Sequence, residues 1–432
     1  MDPAITTLCV LAVAAFLFVT ELIPLAVTAM AACTALGILG VLPSKQVYAG
    51  LSNSTVVLFG GMFVIGAAMF KTGLAEAVGL WVVNKAGTKE VPLMGAIMVV
   101  TIVLSAVSSN TGTVACLMPV IVGIANAAHI PASKELMPLA VAANVGGTIT
   151  MIGTPPNVIV TGALSAAGLP SFGFFEFALI GVPLSVIVLV YMLTIGRKTI
   201  PVKNAGAMDA AAVEAAKKEA GASDDDAPKS KTKMWISGLI LLGVVAAMAL
   251  NLKTVPLQTA AVTGAILCVI TGCLKEKEAY AGIDWVTIFL FAGMLSVATA
   301  MDKTGAGKLI ADTVVGMMGE NPNPIVLCAV LYLISNVLTQ FMSNTASAAL
   351  LAPIGISIAQ SIGADPKPVL MSIGIAASMA FATPMATPPN TLVLGPGGFN
   401  FNDYVKVGVP LCIITFIASV IIIPIFWPFF PG

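Results

Sequence analysis

Charge is what this 432-residue chain has least of: Asp, Glu, Lys and Arg make up 9% of it, against 58% hydrophobic residues. An ordinary soluble domain carries about 25% charged residues. So little polar surface cannot cover a water-soluble globule, and the chain belongs in a lipid bilayer. The twenty basic residues are matched by twenty acidic ones, so no net field draws it to nucleic acid. Histidine is nearly absent. His129 is the only one, which argues against a metal site built on histidines and against a histidine-dependent triad. The seven cysteines (Cys9, Cys33, Cys116, Cys268, Cys273, Cys328, Cys412) stand singly in apolar stretches without a CxxC pair and read as small buried thiols. No nucleophile with a base, metal cluster or pair of acids lies within the hydrophobic stretches, so an intramembrane enzyme is not expected, nor an organic cofactor.

What is present is a series of long hydrophobic runs. A helical crossing takes about 20 residues, and runs of that order lie near 3–20, 24–42, 54–70, 136–165 and 176–196. The first has no basic leader region and reads as a retained span. After a charged stretch the series recurs near 234–250, 256–274, 284–301, 367–396 and 404–428. An extra apolar segment, 91–127 and then 323–361, sits between the third and fourth member of each set. The expected fold is therefore an all-α polytopic membrane protein of about ten transmembrane helices. It divides into a first repeat (1–196), a linker (197–233) and a second repeat (234–432).

The recurrence extends to the letters. VYAGLSNSTVVLFGGMF at 47–63 aligns with AYAGIDWVTIFLFAGML at 279–295, and Lys71-Thr72-Gly73 with Lys303-Thr304-Gly305. The offset is 232 residues at Lys-Thr-Gly, 234 between Ser109 and Ser343, and 233 between Thr154 and Thr387. A near-constant offset over so long a stretch marks a duplication. Five crossings per copy force the copies into opposite orientations. With the linker placed in the cytoplasm, 15 basic residues fall inside and 5 outside, as the positive-inside rule requires, and both termini fall outside. The linker itself, with an alanine-rich helix expected around Met208–Ala220 and the acidic run Asp224–Asp226, reads as a solvated connector.

Two polar motifs interrupt this apolar chain, each twice. Ser-Asn-Thr occurs at Ser109, Asn110 and Thr111 and at Ser343, Asn344 and Thr345; Thr-Pro-Pro-Asn occurs at 154–157 and 387–390. The first lies at the centre of each extra segment and suggests a helix-break-helix hairpin. Two tips on opposite sides of a membrane meet only if both hairpins are re-entrant. At such a tip the second arm opens with unpaired N–H groups, suited to a carboxylate. The first arm ends in free carbonyls, suited to Na⁺. Asparagine offers an acceptor and a donor, and the hydroxyls do either. The paired prolines break spans 136–165 and 367–396 and free the carbonyls around Gly153 and Ala386. No Lys, Arg or His lies inside either motif cluster, so an anion there must be neutralised by dipoles and co-bound cations. Glu21 reads as an interfacial or packing residue, and the two Lys-Thr-Gly sequences as span ends whose lysines snorkel.

Paired Ser-Asn-Thr hairpins, each followed by a Thr-Pro-Pro break within an inverted repeat, resemble the divalent-anion/sodium symporter (DASS) family over essentially the whole chain. The resemblance implies a sodium-coupled carrier of C4-dicarboxylates such as succinate, malate or fumarate. It also implies a dimerising scaffold, an elevator-type transport domain and residence in a bacterial inner membrane. Carried over by position, one sodium site comprises Ser105, Ser109, Asn110 and the carbonyl region at Gly153. Its counterpart comprises Thr339, Ser343, Asn344 and the Ala386 region. Carboxylate contacts fall to Ser109, Asn110, Thr111, Ser343, Asn344, Thr345, Thr387 and Pro388. The chain departs from some members in having ten crossings where eleven are expected. A dicarboxylate exchanger and a carrier of sulfate or tricarboxylates are alternatives on the same scaffold.

Overall fold

A computed structural model describes residues 2–87, 89–203, 230–250, 254–318 and 323–431. Within them the regular structure is helical, with no strand. The helix expected around Met208–Ala220 and the acidic run fall outside the described residues.

The first half runs α1 (Pro3–Thr20), α2 (Leu25–Ile38), α3 (Ser54–Lys71), α4 (Leu74–Ala86), α5 (Glu90–Val107), α6 (Asn110–Ala127), α7 (Ala132–Gly146), α8 (Pro155–Ala166) and α9 (Ala178–Tyr191). The second half repeats this order: α10 (Lys231–Ala249), α11 (Leu257–Ile270), α12 (Trp285–Thr304), α13 (Ala306–Met318), α14 (Pro324–Thr339), α15 (Asn344–Ser361), α16 (Pro366–Ser378), α17 (Pro388–Leu394) and α18 (Phe401–Phe426). Eight of the described helices are long and apolar enough to cross a membrane, among them α5 and α6, the arms around Ser-Asn-Thr. Length alone thus leaves those arms equally fit to cross or to turn back.

Local chemistry sets the boundaries. Asp2 caps α1 ahead of Pro3, Asn53 caps α3 by accepting from Thr55 N at 2.8 Å, and Asp284 caps α12. Lys-Thr-Gly ends α3 and α12 because Gly73 (φ 79) and Gly305 (φ 73) take the left-handed conformation that glycine tolerates. The chain then turns into α4 and α13, which hydropathy does not reveal: each has 13 residues, too few to cross. The lysines are held as well as placed. Lys71 pairs with Glu278 at 3.3 Å, and Lys303 donates to Gln46 Oε1 at 2.7 Å.

The halves interlock through matched pairs, α2 against α12 and α3 against α11. Glycine permits both approaches. A Cβ on Gly61 would lie 2.7 Å from the carbonyl carbon of Ala261, and one on Gly293 at the same distance from that of Ala29. Small residues at crossings let helices gain dispersion contacts where lipid offers no hydrophobic drive. The cysteines are less uniform than expected. Cys33, Cys268, Cys273 and Cys328 are buried, Cys116 and Cys412 partly so, and Cys9 is exposed, on the face of α1 opposite its buried Leu11, Ala14 and Phe18.

Candidate binding site between the two halves

Ser-Asn-Thr breaks its helix by offering the backbone a better cap than another helical turn. Ser108 (φ −145, ψ 172) and Ser109 (φ −60, ψ 130) are extended between α5 and α6, and Ser109 Oγ accepts from Gly112 N at 3.3 Å. Ser343 (φ −54, ψ 134) occupies the same position before α15. The Thr-Pro-Pro-Asn motifs act likewise, with Thr154 and Thr387 at N-cap and prolines in the first turns of α8 and α17.

All four breaks face one cavity of about 1010 Å³. Its wall includes Ser109, Asn110, Thr111, Ser343, Asn344, Thr345, Gly153, Ala386, Thr387 and Pro388. Ser105 and Thr339 sit one layer behind, each 0% exposed. Among the described residues that line it there is no Lys, Arg or His, whereas Glu21 and Asp284 are present. Glu21 caps α1 in a left-handed conformation (φ 49), which puts an expected interfacial residue at the cavity's edge.

Behind each Ser-Asn-Thr tip lies a cluster of oxygens, and the two clusters match. Ser105 Oγ is 2.5 Å from Asn110 Oδ1 and 2.8 Å from the Ala143 carbonyl. Thr339 Oγ1 is 2.6 Å from Asn344 Oδ1 and 2.7 Å from the Ala377 carbonyl. A hydroxyl has one proton, so with each asparagine's oxygen turned toward it one oxygen–oxygen contact in the cluster lacks a hydrogen. In the first cluster the same Asn110 amide atom also lies 3.0 Å from the Gly153 carbonyl and 3.2 Å from that of Ala143. With its NH₂ group there, Asn110 donates to these oxygens; with its oxygen there, the four oxygens call for a cation. Amide orientation follows from the surrounding network, so the side chain can serve either state.

Glycine makes room for this cluster. A Cβ on Gly147 would meet Asn110 Oδ1 at 2.6 Å, and one on Gly153 would meet the Gly147 carbonyl oxygen at 2.4 Å. The asparagines of Thr-Pro-Pro-Asn hold the unwound backbone beside it. Asn157 Nδ2 donates to the carbonyls of Thr150 (2.9 Å) and Gly147 (3.4 Å), and Asn390 Nδ2 to those of Thr383 and Ala380, each at 2.9 Å. Carbonyls freed by the prolines thus gain donors, which apolar surroundings require.

Three participants went unnoticed in the sequence. The Ala143 and Ala377 carbonyls belong to the backbone and have no letter of their own. Asn144 is 1% exposed, lines the cavity, and reaches across the halves to Thr387 Oγ1 at 3.2 Å and Asn390 Oδ1 at 3.1 Å. An asparagine within a broken apolar span, nine residues before Gly153, was the available signal.

A bundle of apolar helices around a cavity lined by both Ser-Asn-Thr tips suits a membrane transporter, and the family and the named relatives are transporters, not enzymes. The chain belongs to the citrate transporter family (CitMHS), whose family model matches residues 15–369, and it is related to the DASS carriers. Among its relatives is an uncharacterized transporter, YfbS, of Escherichia coli (strain K12), 25% identical over 98% of this chain and 99% of that protein. An uncharacterized transporter of Haemophilus influenzae is 30% identical over 97% and 91% of the two chains. The sodium-dependent dicarboxylate transporter SdcS of Staphylococcus saprophyticus is 26% identical over 94% and 83%. The fold also resembles the Alcanivorax borkumensis YdaH transporter, with a TM-score of 0.67, 14% identity and all of both chains covered.

Proposed function

We propose that this protein is a sodium-coupled symporter of C4-dicarboxylates in a bacterial inner membrane. The observation that carries the reading is that both Ser-Asn-Thr tips line one cavity, each backed by a matching oxygen cluster. Na⁺ is cargo here. Ser105, Ser109, Asn110 and the Gly153 region hold one ion; Thr339, Ser343, Asn344 and the Ala386 region hold the other. The opening N–H groups of α6 and α15, with Thr111, Thr345, Thr387 and Pro388, take the carboxylates. Two cations balance a dianion in a cavity without bases, so each ligand binds well only with the other. Linkage makes that dependence reciprocal. The SdcS relative, sodium-dependent by name, supports the same assignment.

The two halves are inverted repeats, the segments 91–127 and 323–361 are re-entrant hairpins, and 197–233 is cytoplasmic. Cross-chain ion pairs favour this layout: Lys71 with Glu278, Lys203 with Asp403 and Lys367 with Glu176 each join residues that the charge bias puts on one side. The interlocked helices α1–α4 and α10–α13 form the dimerising scaffold, and α5–α9 with α14–α18 the domain that moves as an elevator. Glu21 and Asp284 lie at helix ends on the cytoplasmic side in this layout, so the cavity they line opens inward.

Uptake of labelled succinate by proteoliposomes tests the function, driven by a sodium gradient and compared with choline. Equal uptake in both, with no proton dependence, removes cation coupling. The family's description as citrate transporters favours a second reading, a tricarboxylate cargo. Citrate competing far better than succinate establishes it.

A further inference from the structure

Two polar atoms in the cavity wall have no partner among the described residues. Ser108 Oγ and Asn144 Oδ1 are shielded and unbonded, their residues are 5% and 1% exposed, and both residues line the cavity. Shielded polar atoms are nearly always hydrogen-bonded, so two orphans on residues of one cavity wall call for an explanation.

The Asn144 amide is not free to turn. Asn390 directs its own NH₂ group to the Ala380 and Thr383 carbonyls, which leaves Asn390 Oδ1 facing Asn144 as an acceptor at 3.1 Å. Asn144 must therefore present its NH₂ group on that side. Its oxygen is left over, and an amide oxygen only accepts. The missing partner is a donor.

Neither orphan has an equivalent in the second half. The position 234 residues after Ser108 is Met342, which has no hydroxyl, and the one after Asn144 is Ser378. Ser378 is already satisfied, donating to the Gly374 carbonyl at 3.0 Å. The oxygen clusters match across the halves, but this spare hydrogen-bonding capacity, on first-half residues, has no counterpart in the second half.

We propose that the first-half wall of the cavity recognises a hydroxyl group on the carbon next to a carboxylate, so that the transporter prefers 2-hydroxydicarboxylates to unsubstituted ones. This rests on the dicarboxylate reading above and names the substrate class within it. A hydroxyl supplies the donor that Asn144 Oδ1 lacks and an acceptor for the Ser108 proton. It is also neutral, and so preserves the balance of two carboxylates against two cations, which an ammonium group upsets. Because only one half is so equipped, the two enantiomers of such a ligand are distinguished.

The test is calorimetric titration of the purified full-length protein in sodium with L-malate, D-malate and succinate. One malate enantiomer binds about 10-fold more tightly than succinate, a difference of the size one or two well-made hydrogen bonds give. Ser108→Ala and Asn144→Ala each bring that ratio toward one. Asn144 bridges the halves and its variant is at risk of misfolding; Ser108→Ala removes a single atom and keeps the test open. Equal affinity for all three ligands, or an unchanged ratio in Ser108→Ala, overturns the inference and leaves the dicarboxylate reading standing. Wild-type protein that binds neither malate nor succinate sinks both.

Discussion

Thr339 Oγ1 lies 2.6 Å from Asn344 Oδ1, across the helix break, while the same hydroxyl lies 2.7 Å from the carbonyl of Ala377. One proton cannot satisfy two acceptors; a cation among the oxygens removes the conflict, and in its absence a turned Asn344 amide, donating to Thr339 Oγ1, does the same. Thr339→Val keeps the shape and deletes the oxygen. It raises the sodium concentration for half-maximal uptake by about 10-fold, while Thr339→Ser restores it. A sodium dependence unchanged in Thr339→Val shows that the hydroxyl only braces the hairpin.

The packing of the scaffold yields a prediction independent of any ligand. A valine at Gly61 or Gly293 places Cβ 2.7 Å from backbone carbon of the facing helix, and backbone has no rotamer with which to yield. Each substitution costs about 1–3 kcal/mol by overpacking, read as a lower melting temperature of the detergent-solubilised protein. Gly60→Ala is the control, because nothing lies within 4 Å of a Cβ there. Equal losses at Gly60 and Gly61 contradict the close approach.

How far the letters carried the reading depends on whether a feature has a side chain. Ser109, Asn110 and Thr154–Asn157 stood out because they are polar, helix-breaking and duplicated. Ala143 and Ala377 enter the oxygen clusters through carbonyls that every residue has, so only the fold singles them out. Helices α4 and α13 escaped because 13 residues of mixed polarity fall below the length of a crossing. Asn144 escaped for a different reason: its repeat mate is Ser378, so a search for duplicated polar residues passes over the place where the halves diverge.

The same comparison of halves exposes a strained residue. His129 adopts φ 55 just beyond α6, and the equivalent position beyond α15 is Gly363 with φ 69. A β-carbon in this conformation costs roughly 1–2 kcal/mol, and His129 is exposed. His129→Gly is therefore expected to raise the melting temperature, by an amount corresponding to about 0.5–1 kcal/mol once the added freedom of the unfolded chain is allowed for. A lower melting temperature means that the imidazole makes a contact worth more than the strain.

The sharpest prediction concerns a methyl group. Gly153 and Gly147 face one another beside Asn110 so closely that a Cβ on Gly153 would sit 2.4 Å from the Gly147 carbonyl oxygen. The second half has Ala380 and Ala386 at the matching positions, so alanine is compatible with the general fold of this break. Gly153→Ala therefore pushes apart the oxygens of the first cluster while leaving the second cluster unaltered. Sodium-driven uptake falls by about 100-fold or more, as misplacement by about 1 Å costs elsewhere, and the protein remains folded by size-exclusion chromatography. Sodium binding measured by calorimetry drops from two ions to one. Wild-type stoichiometry with normal uptake in Gly153→Ala means that the ion sits elsewhere, and that Gly153 is kept for packing alone.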